Sequence, residues 1–260
     1  MLLKLLNFAD TGVRHLPSCF HDPGEALKAN SGRRIADQDV QYIFKAPKVK
    51  RSLTNLDLRR KSISNVGAQS LSEALKVNNS VTNLNLSLNS ISDVGAQYLT
   101  EALKVNNTVT NLDFTRNSIS DVGAQYLSEA LKVNNSVTSL NLSLNSISDV
   151  GVQYLSEALK VNNTVTNLNL SQNSISNSGA QYLSQALKVN KKVTQLNLRR
   201  NSIFDVGAQY LSEALKVNKT VTISGVDLGL VNTGHHGHSS NIPVAMSSVL
   251  HSFEAKGQQK

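Results

Sequence analysis

The residues best suited to chemistry lie near the two ends of the chain, where cysteine and histidine occur close together. Cys19 lies two residues before His21, but no acid–base partner accompanies them, so we interpret Cys19 as an ordinary reduced thiol. A second group, His235, His236 and His238, has the chemistry to bind a transition metal, since imidazole is the commonest metal ligand. These histidines lie in a glycine-rich loop without a carboxylate between them, which favours adventitious binding. We therefore predict no biological metal site and no cofactor.

Sequence motifs of catalysis are absent from the chain. It contains no GxxxxGK[ST] phosphate-binding loop, no HExxH, no CxxC and no GxSxG. The single cysteine also excludes a disulfide framework and a multi-cysteine metal site. We therefore predict that the protein is not an enzyme.

The composition is that of a chain without a large aromatic core. Of the 260 residues, 40% are hydrophobic and 5% are aromatic, and none is tryptophan. The net charge of +8 is spread as +4 over residues 1–52, +4 over residues 53–220 and zero over residues 221–260. Such thinly spread charge, without aromatic side chains for stacking on bases, argues against nucleic-acid binding. No apolar run reaches the ~18 residues of a membrane span.

A 28-residue repeat accounts for about two thirds of the chain. Six complete units, ending at Thr220, begin at Leu53, Val81, Val109, Val137, Val165 and Val193. Residues 81–108 and 137–164 differ at only three positions, which indicates recent internal duplication. We therefore expect the units to share one structure.

Each unit predicts one strand followed by one helix. In residues 81–108, Leu84 and Leu86 alternate with polar side chains, the period of two that is typical of a half-buried strand. Asp93 is expected to cap the helix that follows. Asn106 is expected to end that helix, because asparagine tolerates the left-handed conformation.

Stacking of the units predicts the architecture. One strand and one helix cannot bury both of their apolar faces alone, whereas neighbouring copies can. Adjacent parallel strands lie ~4.8 Å apart, while packed helices need roughly 8–10 Å between their axes. The stack must therefore bend towards its strands. The expected fold class is α/β, a right-handed β-α solenoid shaped like a horseshoe, with parallel strands on the concave face and helices on the convex face.

The pattern LxxLxLxxNxIxDxGAxxLxEAL resembles the ribonuclease-inhibitor-like class of leucine-rich repeats, over residues 53–220. The same class occurs in NOD-like receptors and in Ran GTPase-activating proteins. In the second unit the resemblance rests on Leu84, Leu86, Asn89, Ile91, Gly95 and Leu99. It implies a ladder of side-chain hydrogen bonds to the backbone at the turn after each strand, formed by Asn89, Asn117, Asn145, Asn173 and Asn201. The first unit departs from the pattern, with Lys61 at this position.

The two ends of the array are expected to be capped. The predicted organisation is 1–34, an irregular N-terminal segment; 35–52, a degenerate capping half-repeat; 53–220, the six repeats; and 221–260, a partial seventh repeat and a C-terminal capping helix. Val221 should open the seventh strand, but only Ile223, Val226 and Leu228 restore LxxLxL, a slip of two positions. Residues 243–254 carry the apolar stripe of the capping helix.

Polar side chains of the strands line the concave face, where the resemblance implies that ligands bind. Most are amides and hydroxyls, and only the arginines belong to the residue types favoured at binding hot spots. The candidate protein-binding residues are Asn55, Asp57, Arg59, Arg60, Asp113, Arg116, Asn141, Asn169, Asn197, Arg199 and Arg200. One hypothesis is that the arginines hold an acidic patch of a protein partner. The alternative is that they are tolerated solvent residues on a recently duplicated array.

A lysine recurs near the end of every predicted helix, at Lys76, Lys104, Lys132, Lys160, Lys188 and Lys216. A basic ridge for phosphate or acidic lipid is one interpretation of this column. We favour a structural role, since a cation complements the helix macrodipole at the C-terminus. In five of the six helices a glutamate three residues before the lysine can also pair with it.

The leading functional interpretation is a non-enzymatic, cytoplasmic protein-interaction scaffold, resembling the leucine-rich-repeat region of NOD-like receptors, in innate-immune-type sensing or signalling. The alternative is an activator of a small GTPase, resembling the Ran GTPase-activating protein but with fewer repeats and no acidic tail. Inhibition of basic ribonucleases is disfavoured, because a net charge of +8 repels a basic enzyme. Glycosylation sequons at helix ends and on the concave strands favour the cytoplasm, since glycans would obstruct a secreted binding face.

Overall fold

The computed structural model describes residues 53–226, which form one sheet of seven parallel strands alternating with six helices. In chain order the elements are β1 (Asn55–Asp57), α1 (Asn65–Val77), β2 (Asn83–Asn85), α2 (Asp93–Leu103), β3 (Asn111–Asp113), α3 (Asp121–Val133), β4 (Ser139–Asn141), α4 (Asp149–Val161), β5 (Asn167–Asn169), α5 (Asn177–Val189), β6 (Gln195–Asn197), α6 (Asp205–Val217) and β7 (Thr222–Ser224). Each strand pairs with the next in sequence. This arrangement confirms the leucine-rich-repeat solenoid.

Several sequence predictions fall outside residues 53–226 and stay predictions. They are the irregular segment 1–34, the half-repeat 35–52 and the helix over 243–254. Cys19 and the loop with His235, His236 and His238 also lie there. No helix of the described part of the chain is long and apolar enough to cross a membrane.

The core consists of aliphatic side chains that occupy the same positions in each repeat. In the second repeat, Leu84 of the strand, Leu86 just after it and Leu99 of the helix are at most 2% exposed. Ala96 and Ala102 are fully buried, and these small side chains allow neighbouring helices to approach closely. The registers pair equivalent residues, such as Leu84 with Leu112, so every repeat buries its apolar face against identical neighbours.

The helices begin at a serine in five of the six repeats, and the prediction that Asp93 caps its own helix is wrong. Ser92 is the N-cap residue, and Asp93 is the first helical residue. The Asp93 carboxylate instead reaches the next repeat. Its Oδ1 accepts from the backbone N–H groups of Ser120 at 2.7 Å and Gly123 at 3.0 Å, and its Oδ2 accepts from Ser120 Oγ at 2.6 Å. The aspartate thus joins the N-termini of two successive helices.

The same junction explains the glycine near the start of each helix from the second repeat onwards. A Cβ atom on Gly123 would lie 2.6 Å from Asp93 Oδ1 and 2.6 Å from Ile119 Cγ2. No real Cβ contact is that short, so a side chain here would push the two repeats apart. Close approach, and not backbone conformation, therefore requires glycine at this position.

The helix-ending asparagines have a role that differs from the predicted one. Asn134, the C-cap residue of α3, is extended, with φ −75° and ψ 129°, so the left-handed conformation predicted for its equivalent Asn106 is not what ends the helix. Its side chain is buried and donates from Nδ2 to the carbonyls of Leu103 at 2.7 Å and Asn106 at 3.0 Å in the preceding repeat. Its Oδ1 accepts from Val137 N at 2.9 Å. These asparagines form a buried ladder along the helix-ending edge of the array.

The ladder predicted after the strands is confirmed. Asn145 donates from Nδ2 to the carbonyl oxygens of Phe114 at 3.0 Å and Leu142 at 3.1 Å, and its Oδ1 accepts from Ile119 N at 3.0 Å. Asn89, Asn117, Asn173 and Asn201 make equivalent bonds.

The seventh strand differs in register from the sequence prediction. Ile223 pairs with Leu196, which places it 27 residues after the equivalent leucine instead of 28. Val221 keeps the buried position of the preceding valines, at 6% exposure. The repeat therefore slips by one position and not by two, because one residue is missing between the valine and the strand.

Candidate protein-binding surface

Three rows of side chains run across the sheet on its concave face, one residue of each row from every repeat. The first row is Asn55, Asn83, Asn111, Ser139, Asn167 and Gln195; the second row is Asp57, Asn85, Asp113, Asn141, Asn169 and Asn197; the third row is Arg59, Ser87, Thr115, Ser143, Ser171 and Arg199. First-row and second-row residues are exposed or half-buried, while the intervening leucines face the core. The rows together carry two carboxylates and two guanidinium groups, so their net charge is zero.

The second row is held by a turn that each side chain makes with its own backbone. In each repeat Oδ1 of the second-row residue accepts from the backbone N–H two residues later, at 2.8–3.1 Å. This turn ends the strand, which explains why only Asp and Asn occupy the row. The Nδ2 groups of Asn85, Asn141, Asn169 and Asn197 make no hydrogen bond within residues 53–226. Fixed side chains thus leave donors along the middle of the concave face.

In the first row, some side chains bond to their neighbours on the adjacent strand. Asn111 Nδ2 donates to Asn83 Oδ1, and Asn167 Nδ2 donates to Gln195 Oε1 at 3.2 Å. In the third row the serines are at most 8% exposed. These hydroxyls therefore contribute more to the strand end than to the open surface.

Two concavities follow the rows along the face. One, of about 470 Å³, extends from Ser139 to Ser224, and another, of about 360 Å³, extends from Asn55 to Asn141. Ser139 and Asn141 line both, so the fourth repeat lies at the centre of the surface.

Three of the five candidate arginines lie beside the concave rows and not within them. Arg60, Arg116 and Arg200 occupy the turn after the strand, in the left-handed region with φ of 57°, 53° and 56°. Leu88 and Leu144 adopt the same conformation in other repeats, so the backbone, and not the arginine, determines this turn. The three exposed arginines form a rim along the strand-ending edge.

The two arginines of the third row have different surroundings. Arg59 is exposed and forms an ion pair with Asp57, with 3.5 Å between Nη2 and Oδ2. Arg199 is half-buried beside Gly225, whose φ is +81°, and its Nε atom is buried without a hydrogen-bond partner among the described residues. A Cβ atom on Gly225 would lie 2.1 Å from Arg199 Cγ. Arg199 therefore packs against the seventh strand as well as lining the surface.

Lys61 occupies the ladder position in the first repeat and is only 1% exposed. Burial lowers the pKa of its ammonium group, and the nearby Asp57 carboxylate opposes that shift.

Within residues 53–226 no three His, Cys, Asp or Glu side chains are grouped so as to hold a metal ion. This part of the sequence contains neither histidine nor cysteine.

Sequence reasoning missed a second group of basic residues at the opposite edge. Lys191, Lys192 and Lys219 follow the ends of α5 and α6, where the other repeats have Asn, Ser or Thr. The signal was available in the alignment of the repeats, since these positions break an otherwise repeated VNN sequence.

Comparison with known proteins identifies the repeat. The family model described as Leucine Rich repeat matches residues 77–99, 105–128, 133–156, 161–184 and 189–212. Each of these five segments contains one strand, β2 to β6 in order, and part of the helix that follows it. A search of curated protein sequences finds no significant match.

Two solved structures are similar to this chain at low sequence identity. A structure described as Leiomodin-1 Actin-Binding Site 2 is 19% identical, with a TM-score of 0.48, and the alignment covers 73% of this chain and 95% of that one. The tropomodulin C-terminal domain from Caenorhabditis elegans is 18% identical, with a TM-score of 0.46, covering 58% and 93%. At such identities the likeness concerns the fold alone.

Proposed function

We propose that this solenoid of leucine-rich repeats is a non-enzymatic scaffold that binds a protein partner on its concave face. The observation that carries the proposal is the second row, whose side chains are fixed by their own turns and still leave amide donors for a ligand. A surface that is ordered before binding loses little conformational entropy when the partner binds. The absence of histidine and cysteine from residues 53–226 supports a binding role, since these residues supply most general bases and many nucleophiles.

A test should obstruct the centre of the face without disturbing the stack. Ser139 suits this purpose because it lines both concavities and its row also accepts Asn and Gln. We expect Ser139→Arg to abolish capture of a specific partner from cell extract, while the convex control Glu157→Arg retains it. Equal capture by both variants, at equal thermal stability, would place binding elsewhere.

An acidic partner is a finer part of the proposal. The rim arginines Arg60, Arg116 and Arg200 are exposed and suited to carboxylates, because a guanidinium can bind a carboxylate with two hydrogen bonds. We expect the triple change to Ser to weaken capture and to reduce its dependence on salt. Capture that is unchanged in strength and in salt dependence would identify these arginines as tolerated solvent residues.

Roles in innate-immune-type sensing and in small-GTPase regulation stay predictions from the sequence resemblance. No particular feature of the described residues favours either. A GTP-hydrolysis assay with purified small GTPases tests the second, and an unchanged intrinsic rate would count it out.

A cytoplasmic location is also part of the proposal, and the helix-ending sequons support it. Their acceptors Asn78, Asn106, Asn134 and Asn162 are at most 4% exposed, and a glycan on any of them would separate two repeats. We expect a version targeted to the secretory pathway to be glycosylated before folding and to aggregate. Replacing the sequon Ser or Thr by Ala should restore soluble protein if glycans are the cause. Soluble, fully glycosylated protein would contradict this argument.

A further inference from the structure

Charge is distributed unevenly among repeats that are otherwise nearly identical. Repeats two to four, residues 81–164, carry four basic and seven acidic side chains, a net charge of −3. Repeats five and six, residues 165–220, carry seven basic and two acidic side chains, a net charge of +5. The described array therefore has a basic C-terminal third beside a mildly acidic middle.

The differences between repeats four and five that change the charge all change it in the positive direction. The two repeats differ at eight positions, and at four of them the fifth repeat gains one positive charge: Asn177 for Asp149, Gln185 for Glu157, Lys191 for Asn163 and Lys192 for Thr164. None of the eight lowers the charge. The change from Asp149 to Asn177 does not alter the stacking of the repeats. Asn177 Oδ1 accepts from Phe204 N at 2.8 Å and Gly207 N at 3.1 Å, the same two backbone bonds that the aspartate makes.

The new lysines lie together at the C-terminal ends of α5 and α6. Lys191 Nζ donates to the carbonyl oxygens of Lys188 at 2.9 Å and Val217 at 3.2 Å, so its ammonium group bridges the two helix ends. Lys219 Nζ donates to Leu215 O at 3.1 Å. We name Lys188, Lys191, Lys192, Lys216 and Lys219 the lysine corner.

One carboxylate lies against the lysine corner. Glu213 accepts a hydrogen bond from Lys216 at 2.5 Å, and this bond, with the charges of Lys216 and Lys188, lowers the pKa of the Glu213 carboxyl. Among the described residues Glu213 pairs with Lys216, whereas Lys188, Lys191, Lys192 and Lys219 form no ion pair with a carboxylate.

Helix capping explains only part of the corner. It accounts for Lys191 and Lys219, whose ammonium groups bind helix-ending carbonyls. It does not account for Lys192, whose side chain has no partner within residues 53–226. It does not account for Gln185 either. In other repeats a glutamate at this position pairs with the lysine three residues later, as at Lys104 and Lys160, whereas Gln185 leaves Lys188 without such a carboxylate. Uncompensated like charges repel one another, so a bound anion would reduce the repulsion among these ammonium groups.

We propose that the lysine corner binds a short acidic segment, a run of aspartate or glutamate, of the protein that occupies the concave face. This inference rests on the proposed function and specifies the partner's chemistry. Lys192 lies three residues before Gln195, which lines the concavity of about 470 Å³, so the corner continues into the concave surface. An acidic segment bound here extends directly onto the strands.

The size and composition of the corner favour a protein segment over a nucleic acid. Two helix ends lie roughly 10 Å apart, the length of about three residues of extended chain. Residues 188–194 and 216–221 contain no aromatic side chain on which a base would stack. The corner therefore suits a few carboxylates and not a long phosphate backbone.

The test measures binding of a fluorescent oligoglutamate peptide to the full chain at physiological salt. One variant combines Lys188→Gln with Lys192→Thr, the residue of repeat four at that position. A matched control combines Lys104→Gln with Lys132→Gln and removes the same charge from the middle repeats. We expect the corner variant to weaken binding about fivefold and the control less than twofold, as for two exposed ion pairs. Equal weakening in both would reduce the effect to net charge and overturn the proposal.

A gain-of-binding variant guards against a loss caused by misfolding. Glu157→Gln with Asn163→Lys and Thr164→Lys gives the helix-ending region of repeat four the charges that this region has in repeat five, and we expect a second peptide to bind. No gain in this variant would contradict the proposal. The alternative result is a single-stranded oligonucleotide that binds more tightly than the peptide and loses that binding in the corner variant. This result would overturn the proposal and identify a nucleic acid as the ligand of the corner.

The two proposals fail in different ways. If oligoglutamate does not bind while Ser139→Arg still abolishes capture of the partner, only the lysine corner is wrong. If oligoglutamate binds at the corner while Ser139→Arg has no effect on capture, the concave face is wrong as the main site.

Discussion

The two edges of the array use asparagine for the same purpose in different surroundings. At the strand-ending edge, Asn145 is half-buried and binds the carbonyl of Phe114 in the preceding repeat. At the helix-ending edge, Asn134 is 1% exposed and binds the carbonyl of Leu103 in the preceding repeat. Both donors reach a residue 31 positions back, so each ladder joins neighbouring repeats with equal geometry.

The difference lies in what replaces the bond when it is lost. Water can reach the groups around half-buried Asn145 and satisfy them in part. Asn134 is buried from bulk solvent, so the backbone groups that it binds would remain unsatisfied after its replacement, at a cost of about 1–3 kcal/mol each. The helix-ending edge should therefore contribute more to stability, although the strand-ending edge carries the better-known sequence signature.

The largest effect is expected from the two ladder asparagines. We expect Asn134→Ala to lower the free energy of unfolding by about 4 kcal/mol and Asn145→Ala by about 2 kcal/mol, because more buried groups lose their partners in the first variant. Urea unfolding followed by circular dichroism measures both. Exposed Asn135→Ala serves as the control and should change little. Equal losses in the two ladder variants would show that burial does not separate the edges.

A smaller effect is expected at the aspartate between helix N-termini. Asp121 Oδ1 accepts from Ser148 N at 2.7 Å and Gly151 N at 2.9 Å, so Asp121→Ala should cost about 2 kcal/mol. Asp121→Asn should cost less than about 1 kcal/mol, because Asn177 keeps both backbone bonds at this position in repeat five. Thermal unfolding of the two variants distinguishes them. Equal destabilisation would mean that charge, and not the backbone bonds, holds the helix starts together.

The smallest effect is expected from an ion pair on the convex face. The Lys160 ammonium and the Glu157 carboxylate lie 2.6 Å apart, but their side chains are 31% and 52% exposed, and Gln185 replaces the glutamate in repeat five. We expect Glu157→Gln to change stability by less than about 0.5 kcal/mol. A loss close to that of Asn145→Ala, measured in the same urea titration, would contradict the distinction between buried and surface bonds.

The features predicted from sequence are those that repeat within a few residues. Alternation around Leu84 and Leu86 predicted the strands, and the helical stripe predicted the helices that the structure has. The glutamate–lysine pairing predicted for the lysine column is confirmed at Lys76, Lys104, Lys160 and Lys216. Each of these relations joins residues in one element, where local geometry determines the partner.

The features that sequence reasoning missed involve partners one repeat away. Asp93 looked like a cap for its own helix, whereas its acceptor atoms serve Ser120 and Gly123 of the next repeat. Asn106 looked like a helix end, whereas its Nδ2 donates to Leu75 O in the preceding repeat at 2.8 Å. The sequence alone does not show whether a side chain bonds to a nearby backbone group or to the equivalent group about 28 residues away. The lysines of the corner are visible as departures from the repeat, but only the packing of α5 beside α6 brings them together.

The equivalence of the repeats also affects how the chain finds its structure. Hydrogen bonds between neighbouring repeats join residues 26 to 31 positions apart, and nearly the same bonds would form if repeat two packed on repeat four. Doubling the loop that must close costs only about 0.6 kcal/mol, so such a skipped pairing competes early in folding. The altered residues of repeats five and six, including Asn177, Gln185 and Lys192, distinguish these units from repeats two to four. These differences can distinguish correct from skipped pairings of the repeats, which the nearly identical core residues cannot do.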